Sequence, residues 1–199
     1  MTVRDPLKNV TTYFSVEGKA VERRRTVVSL AKCNTCHSDL EAHGRNRNQI
    51  EHCVDCHGPR LTDTARRTPA QMPAESVNFS SMIHRIHTGT TQGRPYVLYG
   101  FGGTANDFSK VALPTDARNC SACHINNTER LPIAENLQNV VDPRGWLTNP
   151  GPAGAACLSC HTSKDAAAHV QLTTAPLGES CNVCHGPNSA FSVAQAHAQ

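Results

Sequence analysis

Five copies of one short motif contain all ten cysteines of this 199-residue chain. The motifs read CNTCH, CVDCH, CSACH, CLSCH and CNVCH, so every C-x-x-C pair is followed directly by a histidine. Two thiols at this spacing can bond to the vinyl groups of a porphyrin, and the adjacent imidazole then binds the iron, as in c-type haem attachment. The predicted attachment residues are Cys33, Cys36, Cys53, Cys56, Cys120, Cys123, Cys157, Cys160, Cys181 and Cys184. The predicted proximal iron ligands are His37, His57, His124, His161 and His185.

A single C-x-x-C pair would also fit a thioredoxin-like redox pair or a zinc site. Here the histidine recurs at the same place in all five copies, which neither alternative requires, and no cysteine is left over. A disulfide framework would not require the fixed two-residue gap. The pattern therefore predicts five covalently bound haems of the c type.

Six histidines lie outside the motifs, and five irons would each have one further axial position to fill. His52 directly precedes Cys53, in a motif that already uses His57, so we interpret it as the spare one. The predicted distal ligands are His43, His84, His87, His169 and His197. Their pairing with particular haems stays open at this stage.

Two of these histidines stand three residues apart in the stretch NFSSMIHRIHTG. The stretch predicts a short helix with Ser80 or Ser81 as its N-cap and Gly89 just beyond its end. Residues three apart share one helix face, so His84 and His87 cannot bind one flat porphyrin from opposite sides. We expect them to serve two different haems. The alternatives are a solvent-facing helix and a zinc site, for which the remaining ligands are already committed.

The composition favours a fold built around a prosthetic group. Hydrophobic residues are 38% and aromatic residues only 5% of the chain, which is lean for a core made of protein alone. We predict a multihaem cytochrome c fold, with mainly short helices and loops wrapped around five haems and little regular sheet. No apolar run reaches membrane-spanning length, so no membrane span is expected. Haem is attached outside the cytoplasm, which predicts export, although the N-terminus shows no signal-peptide pattern.

The chain divides by pattern into an arm and a haem domain. Residues 1–28 contain β-branched and aromatic residues on both sides of EGK, which predicts two short strands, or one strand and an extended arm. Residues 29–199 form the predicted pentahaem domain. Within it, GRPYVLYGFGG predicts a strand or turn, and KDAAAHVQL and SAFSVAQAHAQ predict helices.

The formal net charge of +3 does not indicate a nucleic-acid partner. Five haems, each with two propionates and one iron, would change the total to about −2 when oxidised and about −7 when reduced. The arginines then become propionate partners or ordinary solvated residues. This applies to Arg23, Arg24, Arg25, Arg45, Arg47, Arg66 and Arg67.

Several stretches resemble a pentahaem domain of the outer-membrane decahaem cytochromes of the OmcA/MtrC type. They are RRTVVSLAKCNTCHSDLEAHGRNR, CVDCHGP, VNFSSMIHRIHTG, YGFGGTANDFSKVALPTDARNCSACH, CLSCH and CNVCHGPNSAFSVAQAHA. The resemblance places all five predicted distal histidines on distal-ligand positions and leaves His52 out. The family carries ten haems in two pentahaem domains with intervening β-barrel domains, whereas this chain has one pentahaem unit. The resemblance therefore implies that the arm, residues 1–28, is the remnant of a preceding β domain.

The residues and the resemblance together favour an electron-transfer conduit rather than an enzyme. The resemblance implies ferric minerals, iron chelates or flavins as electron acceptors, and other multihaem cytochromes and a porin–cytochrome complex as partners. It also implies a location at the cell surface, on the extracellular side of the outer membrane, or in the periplasm. The alternatives are a multihaem oxidoreductase of the nitrite or hydroxylamine type, with one open iron, and a haem-bearing subunit of a larger assembly. No C-x-x-C-K motif, typical of pentahaem nitrite reductases, occurs here.

Overall fold

The computed structural model describes residues 7–134 and 137–198, and the chain divides into two compact units. The first unit contains the chain up to Cys56 together with Cys120–Glu129. The second unit contains His57–Asn119 and the chain from Arg130 onward. The predicted boundary after residue 28 separates an arm from a haem domain rather than two compact units, and it stays a prediction.

Short helices joined by loops make up most of both units, as the composition predicts. The α-helices are α1 (Leu30–His37), α2 (Ile50–Cys56), α3 (Phe79–His87), α4 (Pro152–Cys157), α5 (Lys164–Leu172), α6 (Cys181–His185) and α7 (Val193–Ala196). Single 3₁₀ turns lie at Thr64–Arg66, Pro69–Gln71, Gly89–Thr91, Phe101–Gly103 and Cys120–Ala122. Among the described residues, no helix is long and apolar enough to cross a bilayer.

Within residues 7–134 and 137–198, regular sheet is limited to two antiparallel pairs in the second unit. Strand β1 (Val97–Tyr99) pairs with β2 (Ala105–Asp107), and β3 (Thr174–Ala175) pairs with β4 (Gly178–Glu179). The sequence predicted a strand or a turn in GRPYVLYGFGG, and the structure has the strand there, as β1. The predicted helix in KDAAAHVQL is confirmed residue for residue as α5, whereas SAFSVAQAHAQ forms only the four-residue α7.

Backbone hydrogen bonds in the first unit bring the first and third motifs side by side. Val28 forms an antiparallel bridge with His124, and the Ser29 amide donates to the Cys123 carbonyl at 3.3 Å. The ammonium group of Lys32, on α1, donates to the carbonyls of Ser121 (2.5 Å) and His124 (2.7 Å). Attachment sites that are distant in sequence thus become neighbours.

The N-terminal arm does not form the predicted strands. Residues 7–27 contain no strand, and the prediction for residues 1–6 lies outside the described residues. The arm is held instead by Asn9 and Asn48, whose side-chain oxygens each accept the other's backbone N–H, at 3.1 and 3.0 Å. The β-rich pattern fails here because a strand needs a partner strand. Val16 remains 88% exposed.

A buried ion pair organises the loop that opens the second unit. The Asp63 carboxylate accepts hydrogen bonds from Arg67 Nε (2.8 Å) and from the backbone amides of Glu75 (2.8 Å) and Tyr99 (3.0 Å). Arg67 also donates to the carbonyls of Gln71 and Val97, both at 2.5 Å. The interaction joins this loop to β1, and it shows that Arg67 serves the fold rather than lying free in solvent.

Helix α3, which carries His84 and His87, begins earlier than predicted. Its N-cap is Asn78, whose side chain accepts a hydrogen bond from the Ser81 amide at 3.3 Å, so the predicted Ser80 or Ser81 cap is wrong. Asparagine caps helices as well as serine does. An N-cap side chain accepts from the amide two or three residues further along the chain, as Asn78 does from Ser81. Gly89 does follow the C-cap residue Thr88, as predicted. Its backbone is not left-handed, so the need for glycine has another cause.

That cause is a close backbone approach. A Cβ atom on Gly89 would lie 1.9 Å from the carbonyl oxygen of Phe108. We expect Gly89→Ala to reduce the free energy of unfolding by about 1–3 kcal/mol, as other overpacked sites do. Gly93→Ala is the matched control, because a Cβ there meets nothing within 4 Å. Urea unfolding of both variants checks the prediction, and equal stabilities would contradict it.

Candidate haem-binding sites

Four of the five motifs fold into one helical turn that spans the first cysteine and the histidine. The first motif ends α1 and the fifth forms α6. In the third and fourth motifs, the amides of His124 and His161 donate to the carbonyls of Cys120 and Cys157, both at 2.9 Å. Residues four apart share a helix face, so each imidazole lies on the side of its first thiol. In the second motif, α2 ends at Cys56 and His57 begins the next unit.

Several of the motif thiols have the opposite character to those of a redox-active C-x-x-C pair. Burial raises the pKa of Cys157 to about 11, and the neighbouring Cys181 adds to the rise. Burial also raises the pKa values of Cys33, Cys53 and Cys120. Reactive disulfide-exchange thiols have lowered pKa values. The surroundings of these cysteines therefore do not favour thiolate redox chemistry.

Four histidines are oriented by a backbone carbonyl at Nδ1. His57 donates to Val77 O (2.9 Å), His87 to Ile83 O (2.9 Å), His185 to Phe191 O (2.8 Å) and His197 to Val193 O (2.8 Å). A carbonyl can only accept, so the proton of each neutral imidazole lies on Nδ1. Nε2 then carries a lone pair, which is the state that a metal ligand requires.

His124 reaches the same state through a hydroxyl group. Its Nδ1 lies 3.3 Å from Thr128 Oγ1, and that hydroxyl donates its single proton to Val27 O (2.6 Å) or Ile125 O (2.8 Å). The hydroxyl oxygen must therefore accept from the imidazole. Burial also lowers the pKa of His124, which favours the neutral ring.

Two predicted proximal histidines face two predicted distal histidines in the second unit. The ring centroids of His161 and His197 are 6.2 Å apart, and those of His185 and His169 are 6.1 Å apart. Two metal–nitrogen bonds of about 2 Å in line, together with two ring radii, separate imidazole centroids by about 6 Å. The angles between the ring planes are 54° and 80°, and either would be compatible with two imidazoles bound to one metal ion, because each ring could rotate about its own metal–nitrogen bond.

The two pairs cross between motifs. His197 lies beyond the fifth motif but faces the histidine of the fourth, and His169 follows the fourth motif but faces the histidine of the fifth. Ordinary aromatic contacts reach similar distances. Here, however, each contact joins one motif histidine to one of the histidines left over. The centroid separations would allow each pair to hold one iron between its two imidazoles.

The other predicted distal histidines occupy distinct local structures. His84 and His87 are half-buried on α3. His43 is exposed and lies in a tight turn in which three successive residues, His43 (φ 50°), Gly44 (φ 69°) and Arg45 (φ 71°), have positive φ angles. The chain therefore turns sharply within the stretch EAHGR. His52, the predicted spare histidine, lies on α2.

Glu179 aligns the fourth and fifth motifs. Its carboxylate accepts from the amides of Ala153 (2.9 Å) and Gly154 (2.6 Å) at the start of α4, whose last residue is Cys157. Glu179 itself lies two residues before Cys181. A Cβ on Gly154 would lie only 2.6 Å from Val170 Cγ1, so glycine permits α4 to approach α5 closely.

The protein-only core around these motifs is small, and large apolar side chains surround the fifth motif on the surface. The core cluster consists of Leu147, Leu158, Ala167 and Val170. The exposed side chains are Leu172 (86%), Leu177 (102%), Val183 (77%) and Phe191 (68%). Apolar surface of this extent fits the faces of a bound porphyrin.

Across residues 7–134 and 137–198, no three His, Cys, Asp or Glu side chains are grouped as a metal site. A structural zinc ion takes four such ligands.

A family model described as outer membrane cytochrome MtrC/MtrF-like, domains II/IV, matches residues 25–198. The chain belongs to the MtrC/MtrF-like outer membrane cytochromes. The resemblance seen in the sequence is thereby confirmed at family level, and this family binds c-type haems. No curated protein matches the chain.

This MtrC/MtrF-like domain is also similar to the crystal structure of the outer membrane decahaem cytochrome OmcA. The match has a TM-score of 0.54 and 28% sequence identity, and it covers 88% of this chain. It covers 24% of the OmcA chain, so the domain spans about a quarter of that protein's length.

Sequence reasoning missed the residues that hold the sites in place. Asp63, Glu179 and Gly89 lie outside the motifs and act on residues distant in sequence or on the backbone. Gly89 alone carried a local signal, as a residue beyond a helix end. The others carry no motif by which they could have been found.

Proposed function

We propose that this MtrC/MtrF-like domain conducts electrons along five c-type haems, each held between two histidines, and that it is not an enzyme. The observation that carries the proposal is the crossed arrangement of His161 with His197 and of His185 with His169. With both axial positions taken by protein, an iron has no site for a substrate. Close spacing is supported by about 40 residues per haem, too few to insulate each haem from the next.

Haem supplies an iron that alternates between the ferric and ferrous states. The chain's residues determine where and at what potential this happens. The cysteines would attach the porphyrins, and the histidines would present Nε2 to iron. A backbone carbonyl at Nδ1 favours this orientation for His57, His87, His185 and His197. Two histidine ligands hold the potential below that of a His/Met pair. A low potential suits electrons that leave a respiratory chain.

Family membership supports extracellular respiration as the setting. We propose ferric minerals, iron chelates or flavins as acceptors, and other multihaem cytochromes and a porin–cytochrome complex as partners. The proposed location is the extracellular side of the outer membrane, with the periplasm as the alternative. Hand-off would take place at exposed haem edges, which also permits terminal metal reduction without a catalytic residue.

Carbon monoxide binding to the reduced protein tests the proposal against the enzyme alternative. Dithionite reduction followed by carbon monoxide is expected to leave the Soret band unchanged, because every iron has two protein ligands. A change equivalent to about one haem in five would reveal an open iron. The nitrite- or hydroxylamine-type oxidoreductase would then replace the conduit.

His84→Met tests the ligand role of α3. We expect the potential of one haem to rise by on the order of 100 mV, within the ~0.8 V range that axial ligands span, with five haems retained. Spectroelectrochemical titration measures this change. The control is His52→Ala, which should leave the low-spin spectrum intact. Unchanged potentials in His84→Met would mean that His84 is not a ligand. A high-spin signal in His52→Ala would mean that His52 is a ligand and not the spare histidine.

A further inference from the structure

Arg85 is a buried cation on the ligand-bearing helix α3. The residue is only 4% exposed, and its guanidinium lies 4.8 Å from the centroid of the Tyr96 ring. Nη2 donates to the carbonyl oxygens of Pro95 (3.1 Å) and Arg94 (3.5 Å). None of these partners is an anion, so the contacts solvate the charge without neutralising it.

Arg85 lines a small cavity together with the carboxylates of Glu75 and Asp142, but each carboxylate already pairs with another arginine. Glu75 takes both terminal nitrogens of Arg94, with 2.8 Å between Nη2 and Oε2. Asp142 accepts from Arg144 Nε (2.9 Å) and from three backbone amides at 3.2 Å. Three guanidinium groups therefore face two carboxylates, and one positive charge is left over.

Two donors in this group are buried without a hydrogen-bond partner. They are Nε of Arg85 and Nε of Arg94. A buried, unsatisfied donor costs about 1–3 kcal/mol, and more when it is charged. Such groups in native proteins usually indicate a bound water or ion.

The arginine keeps its charge under ordinary conditions. Burial is the main cause that lowers the pKa of Arg85, to about 10 overall; Glu75 opposes this change, and Arg94 and Arg144 contribute to it. The group is therefore cationic at neutral pH, and the two other arginines are close enough to act on it. The adjoining cavity of about 50 Å³ is lined by Glu75, Arg85, Arg94, Tyr96, Asp142 and Arg144, among others. It has room for a small anion.

We propose that Arg85, Arg94 and Arg144 form a binding site for a small anion, either a free halide or a carboxylate oxygen of a haem propionate. A monovalent anion would neutralise the excess charge and accept from the buried Nε donors. The halide form does not depend on the proposed function. The propionate form rests on the haem attachment proposed above, although not on electron conduction.

Crystals of the haem-loaded protein grown in sodium bromide give the direct test. A bromide anomalous peak within hydrogen-bond distance of Arg85 Nε supports the halide form, and a propionate oxygen at that position supports the propionate form. Water alone in the cavity, or a carboxylate side chain turned onto Arg85, would overturn the proposal. All of these outcomes are read without measuring electron transfer, so they are separate from the carbon monoxide test.

Thermal unfolding distinguishes the two sources of the anion. A free halide that binds only the folded state raises the melting temperature as its concentration rises. Arg85→Met should abolish this dependence, and Arg118→Met is the matched control, because the Arg118 side chain is 49% exposed and pairs with Asp116. If Arg85→Met does not fold, Arg85→Lys should weaken the dependence, because lysine lacks the Nε donor geometry. A propionate would give no halide dependence but would be visible in the crystal, and absence of both signals refutes the site.

Discussion

Replacing His197 with alanine is expected to convert one haem in five to a high-spin form that binds carbon monoxide. His197 faces His161 at 6.2 Å between ring centroids, and its Nδ1 is fixed on Val193 O. Removing it would leave one iron with a single protein ligand, while the covalent attachment keeps the haem in place. About one fifth of the Soret band should then respond to carbon monoxide. Wild-type protein and His52→Ala are the controls, and both should stay unresponsive.

The crossed pairing also predicts which histidine variant responds to carbon monoxide when the fourth haem is removed. In a variant that also carries Cys157→Ala and Cys160→Ala, the fourth haem is absent, so His197→Ala should add no carbon monoxide response. His169→Ala should still add one in that background, because its partner is His185 of the fifth motif. The reverse result, with His197→Ala still responsive, would show that the pairs do not cross. If the double-cysteine variant is not produced, His161→Ala in its place gives the same comparison.

Replacing Asp63 with asparagine is expected to lower the free energy of unfolding by about 3 kcal/mol, because Arg67 would keep a buried and uncompensated charge. Both side chains are almost inaccessible, at 3% for Asp63 and 6% for Arg67. Denaturant unfolding followed by circular dichroism measures the loss. Asp116→Asn is the matched control, since the Asp116–Arg118 pair is 35% and 49% exposed, and such pairs contribute about 0–1 kcal/mol. Similar losses in the two variants would contradict the structural role of Asp63.

The same ion pair predicts how stability depends on pH. Burial alone would raise the pKa of Asp63, but the hydrogen bonds from Arg67 and from the amides of Glu75 and Tyr99 outweigh burial and lower it. A lowered pKa in the folded state means that the stabilisation is present above the ordinary aspartate pKa of about 4 and is lost as the pH falls through the folded value. Asp63→Asn should therefore show a shallower loss of stability on acidification than the wild type. Parallel curves would mean that another group controls the acid transition.

The sequence by itself determined the chemistry of the sites, because covalent haem attachment depends on residues within one turn of chain. Five C-x-x-C-H motifs and a surplus of histidines are local facts, and they pointed to the family that the comparisons confirm. Local propensity also predicted α5 and β1, whose residues carry their own helix and strand preferences. The predicted distal set and the haem count remain predictions, since they concern a group that only the loaded protein contains.

Only the tertiary structure decided which histidines meet. His197 could have served any iron within reach, but the fold places its ring 6.2 Å from that of His161, with its Nδ1 held by Val193 O. The N-terminal arm shows that local preference alone is not enough. Its β-branched residues favour a strand, but residues 7–27 have no partner strand among the described residues and remain without one. Asp63 and Arg85 acquire their roles from residues distant in the chain. Haem attachment can be predicted from sequence because all of its residues lie within one short motif. The pairing of histidines, the ion pair of Asp63 and the charge balance around Arg85 depend on long-range packing, which no short pattern encodes.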